Sequence, residues 1–484
     1  MKNIRLFPDS VILIVLCLFA INYSVAQESF KDWLKKDQQA LQSYLEKEDK
    51  AFMEFLKKDW KAFQSMDGEK SDNKPKPKDI PIAKPEPVKE VTDRPVAPVK
   101  IKPIPLAPKP KPKPLVQEIT PKANIKFTFF GVPVAFLLDK KPGINISGQI
   151  NNQVISDSWA VLASSDAVKL IAGLKNYKHN LLLNDWGYIR LVHGLSSEIY
   201  KNKKNEQTLC AWFLLLKSGY DVRIAYKRDQ IFLLISNENT IYNNQFVTIS
   251  GHKYYFVSFE GPLDLSGQVY TYEGNYEGSD KMFTMRMAAV PNLTNKIDQR
   301  KLAFDYNGNS YSLIIKYNND IVEYYKNYPQ TDIGLYFSSP VSIAAQTTLL
   351  SELKPHVEGK SELEAVNLLL RFVQTSFDYK TDDVQFGKEK YLLPEETLFY
   401  PASDCEDRSI LFSYLIKNLL GMDIVGLDYP GHIATAVKFK SDIIGEGVTY
   451  NGQRYIICDP TYINANAGMC MPEFQGINPQ IIKF

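Results

Sequence analysis

Residues 401–437 read PASDCEDRSILFSYLIKNLLGMDIVGLDYPGHIATAV, and this stretch decides the fold of the carboxy-terminal part of the chain. Ser403 and Glu406 have the spacing of a capping box, which predicts a helix that begins near Asp404. The body of this helix is apolar on nearly every side, which is typical of a buried helix. Cys405 therefore lies in the first turn, where free N–H groups and the helix dipole favour a thiolate.

Two later segments supply the partners that a reactive thiol needs. The acidic neighbours of the cysteine oppose a thiolate, so a nearby cation is required. His432 opens an alternating strand after a Pro-Gly turn, and Asp459 ends the short apolar strand of QRYIICDP. With Cys405 as nucleophile, these two residues complete the minimum set for attack on an acyl carbon.

These three motifs together resemble the transglutaminase-like cysteine peptidase superfamily. The likeness rests on SDCEDRSILFSYLIKNLLGMD, GHIATAVKF and YIICDPTY, and it covers roughly residues 340–470. It implies a papain- or transglutaminase-like domain with Cys405 as nucleophile, His432 as general base and acid, and Asp459 as the orienting carboxylate. Many members have Ala-Trp after the histidine, whereas this chain has Ile-Ala, which leaves both hydrolysis and acyl transfer open. The acidic Cys-Glu-Asp segment is closer to the bacterial periplasmic branch, whose activities are mainly peptide hydrolysis.

Further candidate residues surround this set. An oxyanion hole needs the backbone N–H of Cys405 and one side-chain donor, for which Tyr400 and Gln374 are candidates with packing as the alternative role. Cys458 and Cys470 could pair in an oxidising compartment, or Cys458 could be a buried free thiol. No cluster of histidines, cysteines and carboxylates has metal-ligand spacing, so the sequence predicts no metal and no other cofactor.

The first 26 residues have the features of an export signal. Two basic residues precede an apolar run over residues 11–21, and Ser-Val-Ala ends the segment at residue 26. The run is about half of the ~20 residues that span a bilayer, so a retained anchor is the weaker alternative. Cys17 lacks the small preceding residue expected before a lipidated cysteine. We therefore predict export to the periplasm or cell surface of a Gram-negative envelope.

Residues 27–67 contain an eleven-residue repeat, FKDWLKKDQQA, LQSYLEKEDKA, FMEFLKKDWKA and then FQSM. Eleven residues make about three helical turns, so the large apolar residues form one stripe along a predicted amphipathic helix. Such a stripe needs a partner. Three partners are open: the chain's own globular body, a second copy in a weakly right-handed coiled coil, or a membrane surface.

Residues 68–123 form a predicted Pro/Lys-rich linker that contains half of the 28 prolines of the chain. This spacing excludes helix and sheet and favours polyproline II. Lysine and arginine outnumber aspartate and glutamate by twelve to five between Lys74 and Lys122. The linker is therefore either a solvated spacer or a ligand for an anionic cell-wall polymer.

Two further units are predicted before the carboxy-terminal domain. Short alternating segments between Gly and Asn turns predict a small β-sandwich over residues 263–339. Residues 124–262 are predicted to be a degenerate second copy of the carboxy-terminal fold, because GYDV at Gly219 and GMDI at Gly421 end similar apolar helices. Chance similarity of two helix–strand–strand stretches is the alternative.

The alignment of the two copies assigns polar but unreactive side chains to the triad positions. The equivalents of the cysteine, histidine and aspartate are, in that order, Asn205, Gln230 and Ser258. None of these side chains forms or orients a thiolate. The second copy is therefore expected to have a binding or structural role rather than a catalytic one.

The 484 residues are 44% hydrophobic and 23% charged, with a formal net charge of +2. This composition excludes a disordered chain and gives no reason to expect a nucleic-acid partner. We predict an α+β protein whose catalytic domain occupies residues 340–484. The predicted function is that of an exported thiol peptidase or amidase acting on a protein or peptide substrate. The alternative is a non-catalytic scaffold or binding protein with the same fold.

Overall fold

The computed structural model describes residues 43, 45–58, 60–70, 79–84, 122–165, 167–259, 261, 263 and 265–484. Over these residues the chain is α+β, with helices packed on largely antiparallel sheets. The predicted signal peptide and most of the predicted linker lie outside the described residues. Within the described part, no helix is long and apolar enough to cross a membrane.

The amino-terminal half combines a helical layer with a six-stranded sheet in the order β1-β8-β4-β5-β7-β6. Its elements are α1 (45–56), β1 (Trp60–Gln64), β2 (Ile125–Phe129), β3 (Val132–Phe136), α2 (Asn152–Ala163), α3 (Ala167–Asn180), α4 (Asp185–Ile199), α5 (Lys204–Lys217), β4 (Val222–Lys227), β5 (Gln230–Ser236), β6 (Phe246–Ile249), β7 (His252–Val257) and β8 (Gln268–Tyr272). The apolar helix α5 packs against β4 and β5.

The carboxy-terminal half contains a five-stranded sheet in the order β15-β16-β14-β13-β17. Its elements are β9 (Ile297–Tyr306), β10 (Asn309–Asn318), α6 (Asn319–Tyr325), α7 (Ile333–Phe337), α8 (Ile343–Val357), α9 (Glu362–Thr375), β11 (Asp378–Tyr379), α10 (Asp382–Gln385), α11 (Pro394–Phe399), β12 (Ala402–Ser403), α12 (Cys405–Leu415), β13 (Ile424–Tyr429), β14 (His432–Val437), β15 (Gly447–Tyr450), β16 (Gln453–Cys458) and β17 (Gln480–Ile482). One π-helical turn, Ile416–Leu420, continues α12.

The two sheets repeat the same strand order. Read from one edge, β6-β7-β5-β4-β8 has the same succession as β15-β16-β14-β13-β17. The central hairpins of both halves turn over two residues, at 228–229 and at 430–431. Each is preceded by an apolar helix that ends at a glycine with positive φ, Gly219 at 97° and Gly421 at 67°. A side chain would be strained in this left-handed conformation, which is why glycine ends both helices.

The cross-strand registers of the two sheets also agree. Leu233 of β5 lies opposite Val257 of β7, and Thr435 of β14 lies opposite Cys458 of β16. Counted from the first residue of β5 and of β14, these are the same positions, and each partner is the last residue of its strand. A slip by one residue would turn every side chain to the other face, so the shared register places equivalent side chains on equivalent faces.

The predicted helix over residues 27–67 is wrong at its carboxy-terminal end. Helix α1 ends at residue 56, and the chain then forms β1, antiparallel to β8. The physical reason is that β1 satisfies the backbone groups of β8, which would otherwise be an open sheet edge. Phe52 and Leu56 are buried in the main core. The third repeat therefore packs on the chain's own body, and residues 27–42 lie outside the described part.

Part of the predicted linker is docked rather than solvated. Ile82 forms a parallel bridge with Ile463. The N–H of Ala83 donates to the carbonyl of Ile463 at 2.7 Å, and the N–H of Ile463 donates to the carbonyl of Pro81 at 2.9 Å. This contact holds residues 79–84 of the predicted linker against the loop that follows β16. The other residues of the linker on either side of 79–84 are largely outside the described part.

The predicted β-sandwich over residues 263–339 is wrong. Strand β8 joins the six-stranded sheet, and β9 and β10 form a single long hairpin. One face of the hairpin belongs to the same apolar cluster as α8 and α9, through Leu302, Phe304, Leu313 and Ile315. An isolated two-stranded hairpin is marginal in water, so its alternating pattern reflects packing on these helices rather than on a second sheet.

The burial of α1 predicts the effect of truncating Phe52. Its ring contacts those of Trp159, Tyr272 and Tyr276 at centroid distances of 4.7, 5.9 and 5.4 Å. Phe52→Ala should lower the free energy of unfolding by ~3–5 kcal/mol in urea titrations, because it leaves a cavity in the core. Met66→Ala, at a position that is 48% exposed, should change it by less than ~0.5 kcal/mol. Equal and small effects would contradict this packing.

Candidate active site

Helix α12 begins at Cys405, but its cap lies one residue later than the sequence predicted. Asp404 is the N-cap, and its N–H donates to Oδ2 of Asp407 at 3.3 Å. The predicted box of Ser403 and Glu406 is wrong, because Ser403 belongs to β12 and pairs with β11. The thiol still occupies the first residue of the helix.

The first turn of α12 rests on the start of strand β14. The backbone N–H of Ile433 hydrogen-bonds to Sγ of Cys405. One turn further along the helix, Oγ of Ser409 donates to the carbonyl of Ile433 at 2.9 Å. Residues four apart lie on one helix face, so both contacts fix that face against the strand. The thiol is thereby held beside the residue that follows His432.

His432 and Asp459 lie in direct contact, as the sequence predicts for this pair. Nε2 of His432 lies 2.8 Å from Oδ2 of Asp459. Oδ1 of the same carboxylate accepts the N–H groups of Thr461 at 2.9 Å and Tyr462 at 3.3 Å, so the turn after β16 fixes its orientation. Nδ1 of His432 is buried and has no hydrogen-bond partner among the described residues. Nδ1 is therefore the nitrogen left for proton transfer.

No hydrogen bond joins Cys405 to His432. The thiol instead donates to Oε2 of Glu406 at 2.9 Å. Burial, followed by the charges of Glu406 and Asp404, raises the pKa of the Cys405 thiol well above its ordinary value. Loss of solvent and two carboxyl groups outweigh the helix dipole that favours a thiolate. The resting thiol is neutral.

The three predicted catalytic side chains are enclosed. Cys405, His432 and Asp459 are 1%, 0% and 2% exposed. Phe474, in a short 3-10 turn near the end of the chain, stacks on the imidazole of His432 with centroids 4.9 Å apart and planes 8° apart. Phe474 therefore covers one face of the imidazole of His432.

Five carboxyl side chains gather beside the thiol. They are Asp382, Glu389, Asp404, Glu406 and Asp407, of which Glu389 is half-buried and the others are buried. Asp382, Glu389 and Glu406 form one set with oxygens within 4.8 Å of one another, and Asp382, Asp404 and Asp407 form a second. Such oxygens are the ligands of Ca²⁺ and Mg²⁺, so these sets could hold a cation, which the sequence did not predict.

Burial keeps several of these groups protonated. It raises the pKa of Asp407 to about 6, and burial together with repulsion from Asp407 and Glu406 raises that of Asp382 to about 10. The pKa values of Asp404 and Glu406 are raised well above their ordinary range by burial and then by neighbouring carboxylates. The cluster was missed because Asp382, in α10, and Glu389, in the loop before α11, are brought to α12 only by the fold.

Gln374 is not an oxyanion donor in this structure. Its Nε2 donates to the carbonyls of Asp459 at 3.1 Å, Tyr462 at 2.8 Å and Ala465 at 3.0 Å. The side chain therefore holds the turn that carries the carboxylate of Asp459. Three carbonyls that lie far along the chain accept hydrogen bonds from this amide, which agrees with the alternative packing role.

Tyr379 rather than Tyr400 is the phenol that the structure brings toward the thiol. Strand β11, which ends at Tyr379, pairs in parallel with β12, directly before the helix. Burial and then Cys405 raise the pKa of Tyr379. The ring of Tyr400 instead packs against those of Phe386 and Phe399. A strand of two residues leaves no periodic pattern in the sequence, which is why Tyr379 was missed.

The degenerate positions in the amino-terminal half are only partly brought together. Oδ1 of Asn205, near the start of α5, accepts the N–H of Ile231 at 2.9 Å, as the thiol does in α12. Gln230 opens β5 and is exposed. The hydroxyl of Ser258 donates to the carbonyl of Gly261. Asn205 therefore meets the start of β5, but no hydrogen bond links these three side chains into a triad-like set among the described residues.

The remaining thiols are buried and free. The structure shows no disulfide between Cys458 and Cys470 or among the other described cysteines. Burial raises the pKa of Cys210 to about 12 and that of Cys470 to about 11. It also raises the pKa of Cys458. These thiols are protonated at neutral pH.

Comparison with family models, with curated proteins and with solved structures finds no match for this chain. The likeness to transglutaminase-like peptidases therefore rests on the motifs around the cysteine, the histidine and the aspartate.

The carboxyl cluster predicts an unusual dependence of stability on pH. Carboxyls whose pKa is raised by folding bind protons that the unfolded chain has already released above about pH 5. The free energy of unfolding should thus be highest in mild acid and fall by ~1.4 kcal/mol per pH unit for each such group. The fall begins at about pH 5, above the carboxyl pKa values of the unfolded chain, and it ends near pH 6 for Asp407 and near pH 10 for Asp382.

Urea unfolding between pH 5.5 and 9 measures this slope in a chelator-containing buffer. Asp382→Asn removes one carboxyl whose pKa is raised by folding. It should therefore flatten the dependence of the free energy of unfolding on pH over the upper part of that range. Asp423→Asn, whose side chain is 69% exposed, is the control and should leave the slope unchanged. A stability that rises with pH over the same interval would contradict the protonated cluster.

Proposed function

We propose that the carboxy-terminal half is a papain- or transglutaminase-like thiol enzyme that hydrolyses peptide or isopeptide bonds. The observation that carries this proposal is the buried contact of 2.8 Å between Nε2 of His432 and Oδ2 of Asp459, beside the helix-start Cys405. A carboxylate that holds Nε2–H leaves the lone pair of Nδ1 as the proton acceptor. An acceptor of this kind next to a thiol is the minimum for nucleophilic catalysis.

The reaction begins when the thiol proton passes to Nδ1 of His432 and Sγ of Cys405 attacks the acyl carbon. The developing oxyanion would accept hydrogen bonds from the backbone N–H of Cys405 and from the phenol O–H of Tyr379. The amine then leaves with the proton of the imidazolium, and a thioester remains on the enzyme. Water, deprotonated by His432, attacks the thioester and releases the acid and the thiol.

Activation requires the thiol to leave Glu406. In the resting arrangement its hydrogen bond to Oε2 of Glu406 competes with transfer to His432. A substrate that displaces the carboxyl of Glu406 from the thiol would break this hydrogen bond and free the thiol proton for transfer to His432. The carboxyls therefore control when the nucleophile reacts.

The second candidate is a non-catalytic scaffold or binding protein. One observation favours it: the nucleophile, the base and the carboxylate are at most 2% exposed. A scaffold would keep this enclosure under all conditions, whereas an enzyme must open it. The labelling experiments below separate the two.

We also propose that the protein acts outside the cytoplasm, in the periplasm or at the cell surface, on a protein or peptide. The export-type segment over residues 1–26 supports this. Periplasmic alkaline phosphatase activity from a fusion to this segment would support export, and its absence would count against it.

Covalent labelling tests the proposed nucleophile. With an iodoacetamide probe at pH 7.5, the wild type should be modified at Cys405, and Cys405→Ala should lose this label. Asp459→Asn should slow labelling by roughly 10²–10⁴-fold, because the imidazole loses its orienting carboxylate. Cys470→Ala is the matched control and should label at the wild-type rate. Undiminished labelling of Cys405→Ala would contradict the assignment.

Removing the ring that covers His432 should open the site. Phe474→Ala is expected to raise the rate of labelling of Cys405 by about tenfold or more, because the imidazole face becomes accessible. Phe304→Ala, in the β9–β10 hairpin, removes a ring that is 4% exposed and serves as a control for loss of stability alone. Equal labelling rates in the two variants would contradict a covering role for Phe474.

A further inference from the structure

A cavity of about 840 Å³ lies between the two halves of the chain. Helix α4 contributes Trp186 and Arg190 to its wall, the segment after α6 contributes Tyr328, and the loop before α11 contributes residues 388–391. Its volume is in the upper part of the range of ligand pockets, which form preferentially between domains. The cavity is large enough for a short peptide.

The wall formed by α4 carries two hydrogen-bond donors that the protein leaves available. Trp186 is 6% exposed, and its Nε1 is buried without a hydrogen-bond partner among the described residues. Arg190, four residues later, makes no ion pair with a carboxylate in the described part, and Glu323 acts on it only from farther away. Its guanidinium stacks over Phe130 at 4.5 Å and donates to the carbonyl of Tyr324 at 3.4 Å.

These two side chains share one face of α4, because residues four apart lie one above the other on a helix. A buried N–H without an acceptor costs about 1–3 kcal/mol, so a ligand that supplies an acceptor there recovers this energy. An acceptor that is also anionic pairs with the guanidinium of Arg190 as well. The wall therefore suits a carboxylate.

The rest of the lining is consistent with an anionic guest. Lys388 is exposed at the rim, and the rings of Tyr328 and Tyr391 supply apolar faces. Lys390 is already paired with Glu396 at 2.6 Å. Glu389 is the only carboxylate of the lining within the described residues.

Glu389 also connects the cavity to the thiol. Its carboxyl lies in the same set as that of Glu406, with oxygens within 4.8 Å, and Glu406 accepts the hydrogen bond of Cys405. The far end of the cavity is therefore separated from the nucleophile by two carboxyl groups. A guest held at α4 and long enough to reach Glu389 would disturb the groups that restrain the thiol.

We propose that this cavity binds a peptide segment that bears an acidic side chain, with its carboxylate on Trp186 and Arg190. Binding itself is independent of catalysis. The further statement, that the bound peptide is the substrate of Cys405, rests on the proposed function. The amino-terminal half then selects the peptide that the carboxy-terminal half cleaves.

The test uses the full chain carrying Cys405→Ala, so that binding is measured without turnover. Isothermal titration compares acetyl-Ala-Glu-Ala-Tyr-Ala-amide with the same peptide carrying Gln in place of Glu. The Glu peptide should bind at least tenfold more tightly. Trp186→Phe, which keeps the ring and removes the N–H, and Arg190→Gln should each reduce this preference. Arg228→Gln, an exposed residue of the β4–β5 turn, should leave it unchanged.

The outcomes separate this inference from the proposed function. Equal affinity for the two peptides, or an unchanged preference in a folded Trp186→Phe, overturns the carboxylate site. Inorganic phosphate that binds with the same dependence on Arg190 while the Glu peptide does not bind overturns the peptide in favour of another anion. Selective binding of the Glu peptide together with no labelling of Cys405 in the otherwise unaltered chain supports the site and counts against the enzyme.

Discussion

The contact between the first turn of α12 and the start of β14 is the interaction on which the site depends. The N–H of Ile433 donates to Sγ of Cys405, and Oγ of Ser409 donates to the carbonyl of Ile433, so both hydrogen bonds fix the helix against the strand. Strand β14 places His432 beside the end of β16, where Nε2 of His432 lies 2.8 Å from Oδ2 of Asp459. If the helix shifted by one turn, the thiol would lose the strand that presents its base. The amino-terminal half makes an equivalent contact, in which Oδ1 of Asn205 accepts the N–H of Ile231.

The state of the thiol is decided by the carboxyl groups around it. A helix N-terminus favours a thiolate by a modest amount, whereas burial and adjacent carboxyls disfavour one strongly. Cys405 therefore rests as a thiol bonded to Glu406. The enclosure by Phe474 acts in the same direction, since it keeps water and substrates from His432. The resting structure is therefore that of a restrained site.

The sequence predicted the parts of this structure that short-range patterns determine. The glycine after α12, Gly421, and the Pro-Gly turn define the hairpin that presents the histidine, and Asp-Pro marks the end of β16. What it could not predict depends on contacts between distant segments. Trp60 belongs to the eleven-residue repeat in the sequence, but in the structure it lies in a strand and pairs with Tyr272. Tyr272 lies far along the chain, so the repeat gives no sign of this pairing. Asp382 joins the carboxyl groups beside the thiol from the short helix α10, and Tyr379 approaches from a strand of two residues. None of these contacts leaves a local period in the sequence.

The most direct test of the account is to trap the acyl group during the reaction. The full chain is mixed with a nitrophenyl ester of a short acidic peptide, quenched in acid within the first turnover and digested for mass spectrometry. The account predicts an acyl mass increment on the peptide that contains Cys405, which disappears as free acid accumulates. Acylation of Cys210 or Cys470 instead, or hydrolysis at the wild-type rate by Cys405→Ala, would contradict the account.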